Sequence, residues 1–453
     1  MGKTFGSYDM KQQLLLPPDL RQWLRPDHLA LYVSDLVESL DLSGILKVYE
    51  EGDGRGRPPY HPAMMVKLLI YGYCTGKMSS RKLEQATHDE VPFRVLSCNQ
   101  QPDHDSIAGF RKRHLRELGR LFVQVLQLCE RAGLVKLGHV AIDGTKIKAN
   151  ASKYQSLSYA RMKHEEQELA AEVERLLGEA QRIDEAEDEL YGPGKRGDEL
   201  PEELRDPETR LARIRSLIAE LEAEAKAAAE QKRVEKEKPA AARRLNWRPK
   251  FEISEEGEIL PLAKSKRNLT DPDSRLMKDG ATKTFYQAYN TQVGVDSQAQ
   301  IIVAAKVTQS GADQEQLIPV LQEVENNLGR MPERVSADAG YYSKAALTHE
   351  AVRAVDLHVP PNQRQPVDWE ETLTPDATIQ ERMWHKLRSK AGGEVFSKRK
   401  VIVEPVFAQV KHVRGFRQFL LRGLQQVEAE WLLVCMTHNL LKLFRVTKQL
   451  QIA

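Results

Sequence analysis

The sequence predicts an α/β core preceded by an all-α segment and interrupted once by a long helical hairpin. Three observations carry the prediction. From Pro17 to Gly138 apolar residues recur mostly at helical spacing, with Pro and Gly clusters such as Gly52–Pro62 between the pieces. Residues 155–190 and 207–236 are rich in Glu, Ala, Lys, Arg and Leu, with Leu169, Val173, Leu176 and Leu177 in one stretch and Leu211, Ile214, Leu217 and Leu221 in the other. Runs rich in Val, Ile and Tyr, at 139–148 before the hairpin and at 285–295 and 300–308 after it, read as strands.

Within the helical segment the clearest element begins near Ser106. This capping residue is followed by Ile107, Phe110, Leu115, Leu118, Phe122, Val125 and Cys129 at helical spacing, with Arg111, Lys112, Arg113, Arg116 and Arg120 on the opposite side. Gly192, Pro193, Gly194 and Gly197 break the hairpin, and a Lys/Arg/Pro-rich exit runs through Arg243–Lys250. A helix from Asp313 to Leu328, a short strand at Arg334–Asp338 and a later helix complete the α/β order. The expected boundaries are an all-α domain over 1–135, the first core strand within 136–154, the hairpin insertion over 155–265 and the remainder of the core over 266–453.

Charge nearly cancels, 67 Lys plus Arg against 65 Asp plus Glu, so a nucleic-acid partner has to be met by a local basic surface. Cys74, Cys98, Cys129 and Cys435 lack the close pairing of zinc sites or of a secreted disulfide framework, and His61, His88, His104 and His114 lack ligand spacing. The first residues carry no apolar stretch of a signal peptide, and no run approaches the ~18 apolar residues of a membrane span. The expectation is a soluble, cytoplasmic protein with no membrane partner.

Three acids stand out by context. Asp143 lies in the apolar run His-Val-Ala-Ile-Asp-Gly-Thr-Lys-Ile, where a half-buried strand avoids charge and an unpaired carboxylate needs a metal or a cation. Asp338, in Arg-Val-Ser-Ala-Asp-Ala-Gly-Tyr-Tyr-Ser, closes a short apolar strand, with Gly340 behind it and Ser343 placed to cap a helix. Loops at the carboxyl ends of α/β strands are where sites are usually built. Taken singly, each reads equally well as a turn aspartate. Glu404, in Val-Ile-Val-Glu-Pro-Val-Phe-Ala-Gln-Val-Lys, is followed by Pro405 in what reads as a first helical turn, with Lys411 two turns on along the same face. As a set, the three acids meet what Mg²⁺ requires, oxygen ligands from several elements for two ions ~3.5–4 Å apart.

Five segments add specificity: Gly-Arg-Pro-Pro-Tyr-His-Pro-Ala-Met-Met at 56–65, Ala-Ile-Asp-Gly-Thr-Lys at 141–146, Ser-Ala-Asp-Ala-Gly-Tyr at 336–341, Val-Glu-Pro-Val-Phe at 403–407 and Arg-Gly-Phe at 414–416. With them the chain, over nearly its whole length, resembles bacterial insertion-sequence transposases with a DDE catalytic triad on an RNase H-like fold and an all-α N-terminal domain. The resemblance implies Asp143, Asp338 and Glu404 as the catalytic and metal-binding triad, holding two Mg²⁺ ions or Mn²⁺ in their place. It implies strand cleavage at the element's ends and strand transfer to target DNA without a covalent enzyme intermediate. Related families carry a Tyr, Arg, Glu, Lys signature around the glutamate, with the Arg and Lys near the DNA backbone. Arg399, Glu404 and Lys411 match it, whereas Phe396 stands in the place of the Tyr and the Arg-to-Glu gap is one residue longer than the commonest form.

Between Glu381 and Arg422 eleven Lys or Arg stand against three Glu, a local excess suited to phosphate. The expected DNA contacts are Arg399, Lys411 and Arg414 there and Arg111, Lys112 and Arg113 in the N-terminal DNA-binding domain. In that domain the helices over Ser79–Gln85 and from Ser106 onward suggest a helix-turn-helix-like reader of terminal repeats. Trp247 is expected to anchor the hairpin's exit or to stack on an unpaired base. The expected partners are terminal inverted repeats, target DNA and, because two ends are synapsed, a second copy of the chain in a homodimer on nucleoid DNA. Three alternatives remain. An RNase H-like nuclease without strand transfer is separated only by a joining assay; a domesticated DNA-binding protein is disfavoured by the presence of all three acids and Lys411; a coiled-coil scaffold leaves both strand-end aspartates unexplained.

Overall fold

The computed structural model describes residues 19–50, 58–191, 202–237, 251–255, 257–280, 282–361 and 375–452. Gly52, the hairpin break at Gly192–Gly197 and the exit at Arg243–Lys250 with Trp247 lie outside the described residues. The chain divides into two compact units, the first made of residues 1–147, 290–421 and 425–453 and the second of 148–289 with 422–424.

The first unit opens with α1 (Leu29–Ser39), α2 (Ser43–Glu50), α3 (Pro62–Thr75), α4 (Ser80–Asp89), α5 (Val91–Leu96), α6 (His104–Arg113) and α7 (Leu115–Arg131), followed by β1 (Val140–Lys148). The single helix expected from Ser106 is two helices. Asp103, not Ser106, caps α6, its carboxylate accepting the Ser106 N–H at 2.7 Å, and the chain breaks at His114 before α7. α3 buries Met64, Met65, Leu68, Leu69, Ile70 and Tyr73, so it is apolar on almost every side, the pattern of a helix at the centre of a core.

The second unit contains β2 (Ser156–Ser158), α8 (Tyr159–Tyr191), α9 (Glu202–Glu237), β3 (Phe251–Ile253), β4 (Ile259–Pro261), β5 (Lys266–Asn268), β6 (Arg275–Lys278) and the first half of β7 (Phe285–Asp296). Lys163 pairs with Glu222, whereas Glu165 and Glu166, further along α8, pair with Arg210 and Arg215, earlier on α9, so the two helices are antiparallel. Their apolar stripes meet with Leu157 in a core of Tyr159, Met162, Ile214, Leu217, Ile218 and Leu221. Short strands pair beside them, β2 with β5 and β3 with β4, and neither pair was signalled by apolar alternation.

The first unit resumes with the second half of β7 and continues through β8 (Ile302–Thr308), α10 (Leu317–Leu328), β9 (Arg334–Ser336), α11 (Lys344–Leu347), β10 (Asp356–His358), α12 (Ile379–Arg388), α13 (Lys390–Ala408) and α14 (Leu424–Ile452). Its sheet has the order β8-β7-β1-β9-β10, antiparallel between β7 and β8 and parallel across β1, β9 and β10. This mixed sheet with its helices is the α/β core that the strand pattern predicts. α14 ties the sheet to the N-terminal helices. The Asn439 side chain bonds both the N–H and the C=O of Ile302 in β8, each at 2.8 Å, while Glu430 accepts the Tyr73 hydroxyl of α3 at 2.9 Å.

His438 on α14 is fully buried and its Nε2–H donates to Gln300 O at 2.9 Å; burial pushes its pKa from 6.5 down to about 3. Below pH 6.5 the unfolded chain takes up a proton that the folded chain refuses, so the contribution of this side chain to stability falls as pH drops toward 3. The stability cost of His438→Gln, read from urea midpoints, is expected to be smaller at about pH 5 than at about pH 7.5. A cost independent of pH would contradict neutral burial of this histidine.

Candidate active site

Register brings two distant aspartates together. β1 and β9 pair in parallel with Val140 opposite Val335 and Ala141 opposite Ser336, so the same two-residue step on each strand leads to Asp143 and to Asp338. Neighbouring strands lie ~4.8 Å apart, and the two carboxylates therefore emerge side by side at the carboxyl end of β9. The Asp143 side chain is only 20% exposed; its Oδ1 accepts the Gly144 N–H at 2.8 Å and its Oδ2 accepts Arg399 Nη1 at 2.9 Å. Burial pushes its pKa up to about 6 against the pull of Arg399, and Asp338 adds to the rise. Asp338 accepts the Gly340 N–H at 2.9 Å and so caps the tight turn Ala339–Tyr341.

Glu404 is exposed and lies inside α13, not at a helix start. The helix begins upstream because Ser389 caps it, accepting the Gly392 N–H at 3.1 Å. Pro405 is tolerated in the interior although it offers no N–H to the Val401 carbonyl, which instead accepts Gln300 Nε2 at 2.9 Å. The two straight turns expected between Glu404 and Lys411 are replaced by a π-turn over Gln409–Val413, a winding often found where side chains are re-aimed. From it Lys411 donates to Thr145 Oγ1 and, at 3.3 Å, to Lys146 O of β1. Among the described residues no three His, Cys, Asp or Glu side chains converge closely enough to hold a metal ion.

Four residues that the sequence did not single out line the same region. α10 begins at Leu317, which leaves Asp313 in the preceding loop, where its Oδ1 accepts Asn290 Nδ2 and Gln292 Nε2, both at 2.7 Å. Gln292 in turn accepts the Tyr341 hydroxyl. The Tyr341 pKa is pushed well above its ordinary value by burial and then by Asp313, Asp143 and Asp338. The one available signal was polar Asn290 and Gln292 at alternate positions of a buried strand.

The expected DNA-contacting arginines divide. Lys112 and Arg113 are exposed on α6, whereas Arg111 and Arg414 are 5% and 4% exposed. Arg111 donates to Met78 O at 2.8 Å and Arg414 to Thr437 Oγ1 at 2.7 Å, so both bind the protein interior and neither is available to a phosphate. The expected two-helix reader is a three-helix arrangement, with α5 between α4 and α6 and His104 of α6 bonded to Glu84 of α4 at 2.8 Å.

Residues 18–113 match the family model of a Transposase domain (DUF772) and residues 261–440 that of the Transposase DDE domain, together more than half of the chain. The chain belongs to the insertion-sequence transposases of the DDE type, DNA transposases that act by metal-dependent phosphoryl transfer on a core of RNase H-like kind. The second match includes Asp338 and Glu404, while Asp143 lies in neither. No curated protein and no solved structure matches the chain. No helix among the described residues is long and apolar enough to cross a membrane.

A Cβ at Gly144 would press on Gln292 Nε2 closer than real contacts allow and would lie 3.0 Å from Asp313 Oδ1. Gly144→Ala is expected to cost about 1–3 kcal/mol, the range of overpacked interiors, in urea unfolding. An unchanged midpoint would mean that Gln292 can leave its partners freely.

Proposed function

We propose that this transposase moves an insertion sequence by Mg²⁺-dependent cleavage at the element's ends and strand transfer to target DNA, with Asp143, Asp338 and Glu404 as its catalytic and metal-binding triad. The observation that carries the reading is the parallel register of β1 and β9, which brings Asp143, within β1, beside Asp338, two residues past the end of β9. Two hard carboxylates, one of them raised by burial, suit a divalent cation, and Mg²⁺ is commonly held by one or two carboxylates together with substrate phosphates. Such ions supply Lewis acidity at the phosphate and a more acidic attacking water. Glu404, exposed on α13, would complete the set from the DNA side.

The protein's own groups do the positioning. Arg399 balances the Asp143 charge, and an arriving phosphate offers the same guanidinium a second anionic partner. Lys411 anchors the π-turn to β1 beside the triad. We assign residues 1–135 to recognition of the terminal inverted repeats, with Lys112 and Arg113 on the phosphate backbone, and residues 136–154 with 266–453 to catalysis, interrupted by the insertion over 155–265. Two copies would synapse two ends on nucleoid DNA in the cytoplasm.

With Mg²⁺ and labelled DNA carrying the element's ends, Asp143→Ala, Asp338→Ala and Glu404→Ala are each expected to lower cleavage by more than about 100-fold, beyond what outer-shell changes at metal sites cost. Gel-shift binding should persist in all three. Retained cleavage in one variant removes that residue from the triad, and cutting without joining by the native protein points to a nuclease.

A further inference from the structure

We infer that Asp313 is a further acid of the active site, a positioning residue whose carboxylate orients the water shell of the divalent ion at Asp143 and Asp338; the inference rests on the metal-binding reading above. Asn290 and Gln292, two residues apart on β7 and so on one face of the strand, both donate to Asp313 Oδ1 at 2.7 Å and fix the carboxylate. Its Oδ2 is turned toward the Asp338 loop. A Cβ at Gly340 would lie 3.6 Å from Asp313 Oδ2 and 3.0 Å from Asp338 Oδ1, and one at Gly144 would lie 3.0 Å from Asp313 Oδ1. Glycine thus follows Asp143 directly and Asp338 at two residues, and at both glycines a Cβ would come against Asp313. The side-chain partners of Asp313 are neutral amides, which hold it without cancelling its charge, whereas Asp143 faces the Arg399 guanidinium.

The three aspartates do not converge to direct ligation distance. Mg²⁺ keeps several of its waters when bound, and a fixed carboxylate just beyond the ligands accepts hydrogen bonds from those waters and sets their orientation. Asp313 has the charge, the rigidity and the placement for that role.

The test is Mn²⁺ titration of the full-length protein, followed by water-proton relaxation, for the native chain, Asp313→Asn and Asp338→Asn. Asn keeps an oxygen for both amides and removes the charge, so a purely structural Asp313 would leave Mn²⁺ affinity unchanged. The expected result is a loss of affinity of about tenfold or more in Asp313→Asn, the scale of outer-shell changes at metal sites, with native circular dichroism. Native affinity in that variant overturns the inference. Native affinity in Asp338→Asn overturns the metal-binding reading itself. A second measurement needs no variant: Fe²⁺ with ascorbate and peroxide should cut the native chain near 143 and 338 and also within 311–314. Cuts at the first two alone overturn the role of Asp313, and cuts at none of the three overturn the metal site.

Discussion

A carboxylate held inside an apolar strand is the constraint around which the first unit is arranged. Asp143 follows three buried residues, Val140, Ala141 and Ile142, and burial alone would drive it to the neutral form. Two donors keep its charge tolerable, the Gly144 N–H and the Arg399 guanidinium. Arg399 reaches it from α13, and that helix with the turn after it is tied to the sheet at two further points. Gln300 takes the Val401 carbonyl that Pro405 leaves without a partner, and the π-turn brings Lys411 to Thr145. The irregularities of α13 are therefore part of how a buried acid is held in place.

The same unit carries a second buried charge with a different use. Glu430 is fully buried, accepts the Tyr73 hydroxyl on one oxygen and receives the N–H groups of Leu420 and Leu421 on the other at 3.0 and 3.1 Å. Arg111 lies near enough to oppose the rise that burial imposes on its pKa. Removing one member of such a cluster leaves an uncompensated charge, a loss of about 3–5 kcal/mol in comparable cases. The arginine that looked like a phosphate contact at the level of composition is thus a structural counter-charge. It joins the N-terminal helices to α14, so the helical front end and the sheet share one compact unit.

The candidate site gathers residues from four separate stretches. Asp143 comes from β1, Asn290 and Gln292 from β7, Asp313 from the loop before α10, and Asp338 with Tyr341 from the turn after β9. Parallel register sets Asp143, within β1, beside the turn that follows β9, and Asn290 and Gln292, within β7, tie the loop before α10 to the same place. Glycines at 144 and 340 keep that place open, because a Cβ at 144 would collide with the amide that fixes Asp313 and one at 340 would crowd Asp338.

The sequence by itself determined the all-α front end, the long strands of the core and the family, and it named three candidate acids. Strand runs at 139–148 and 285–308, the leucine stripes of the hairpin and the motifs around Asp143, Asp338 and Glu404 are local patterns, each written in a few neighbouring residues. The tertiary structure decided everything that depends on which face a residue presents and what lies across from it. Arg111 and Lys112 are adjacent in a run of basic residues, yet one is buried and the other exposed, because the helix turns ~100° per residue and only one face meets α3. Asp313 reads as a helix start until Asn290 and Gln292 are opposite it, and Glu404 reads as one until the Ser389 cap extends α13 upstream. Those partners lie far off in sequence or depend on a capping choice, and the energy that selects them is paid out only when the chain is packed.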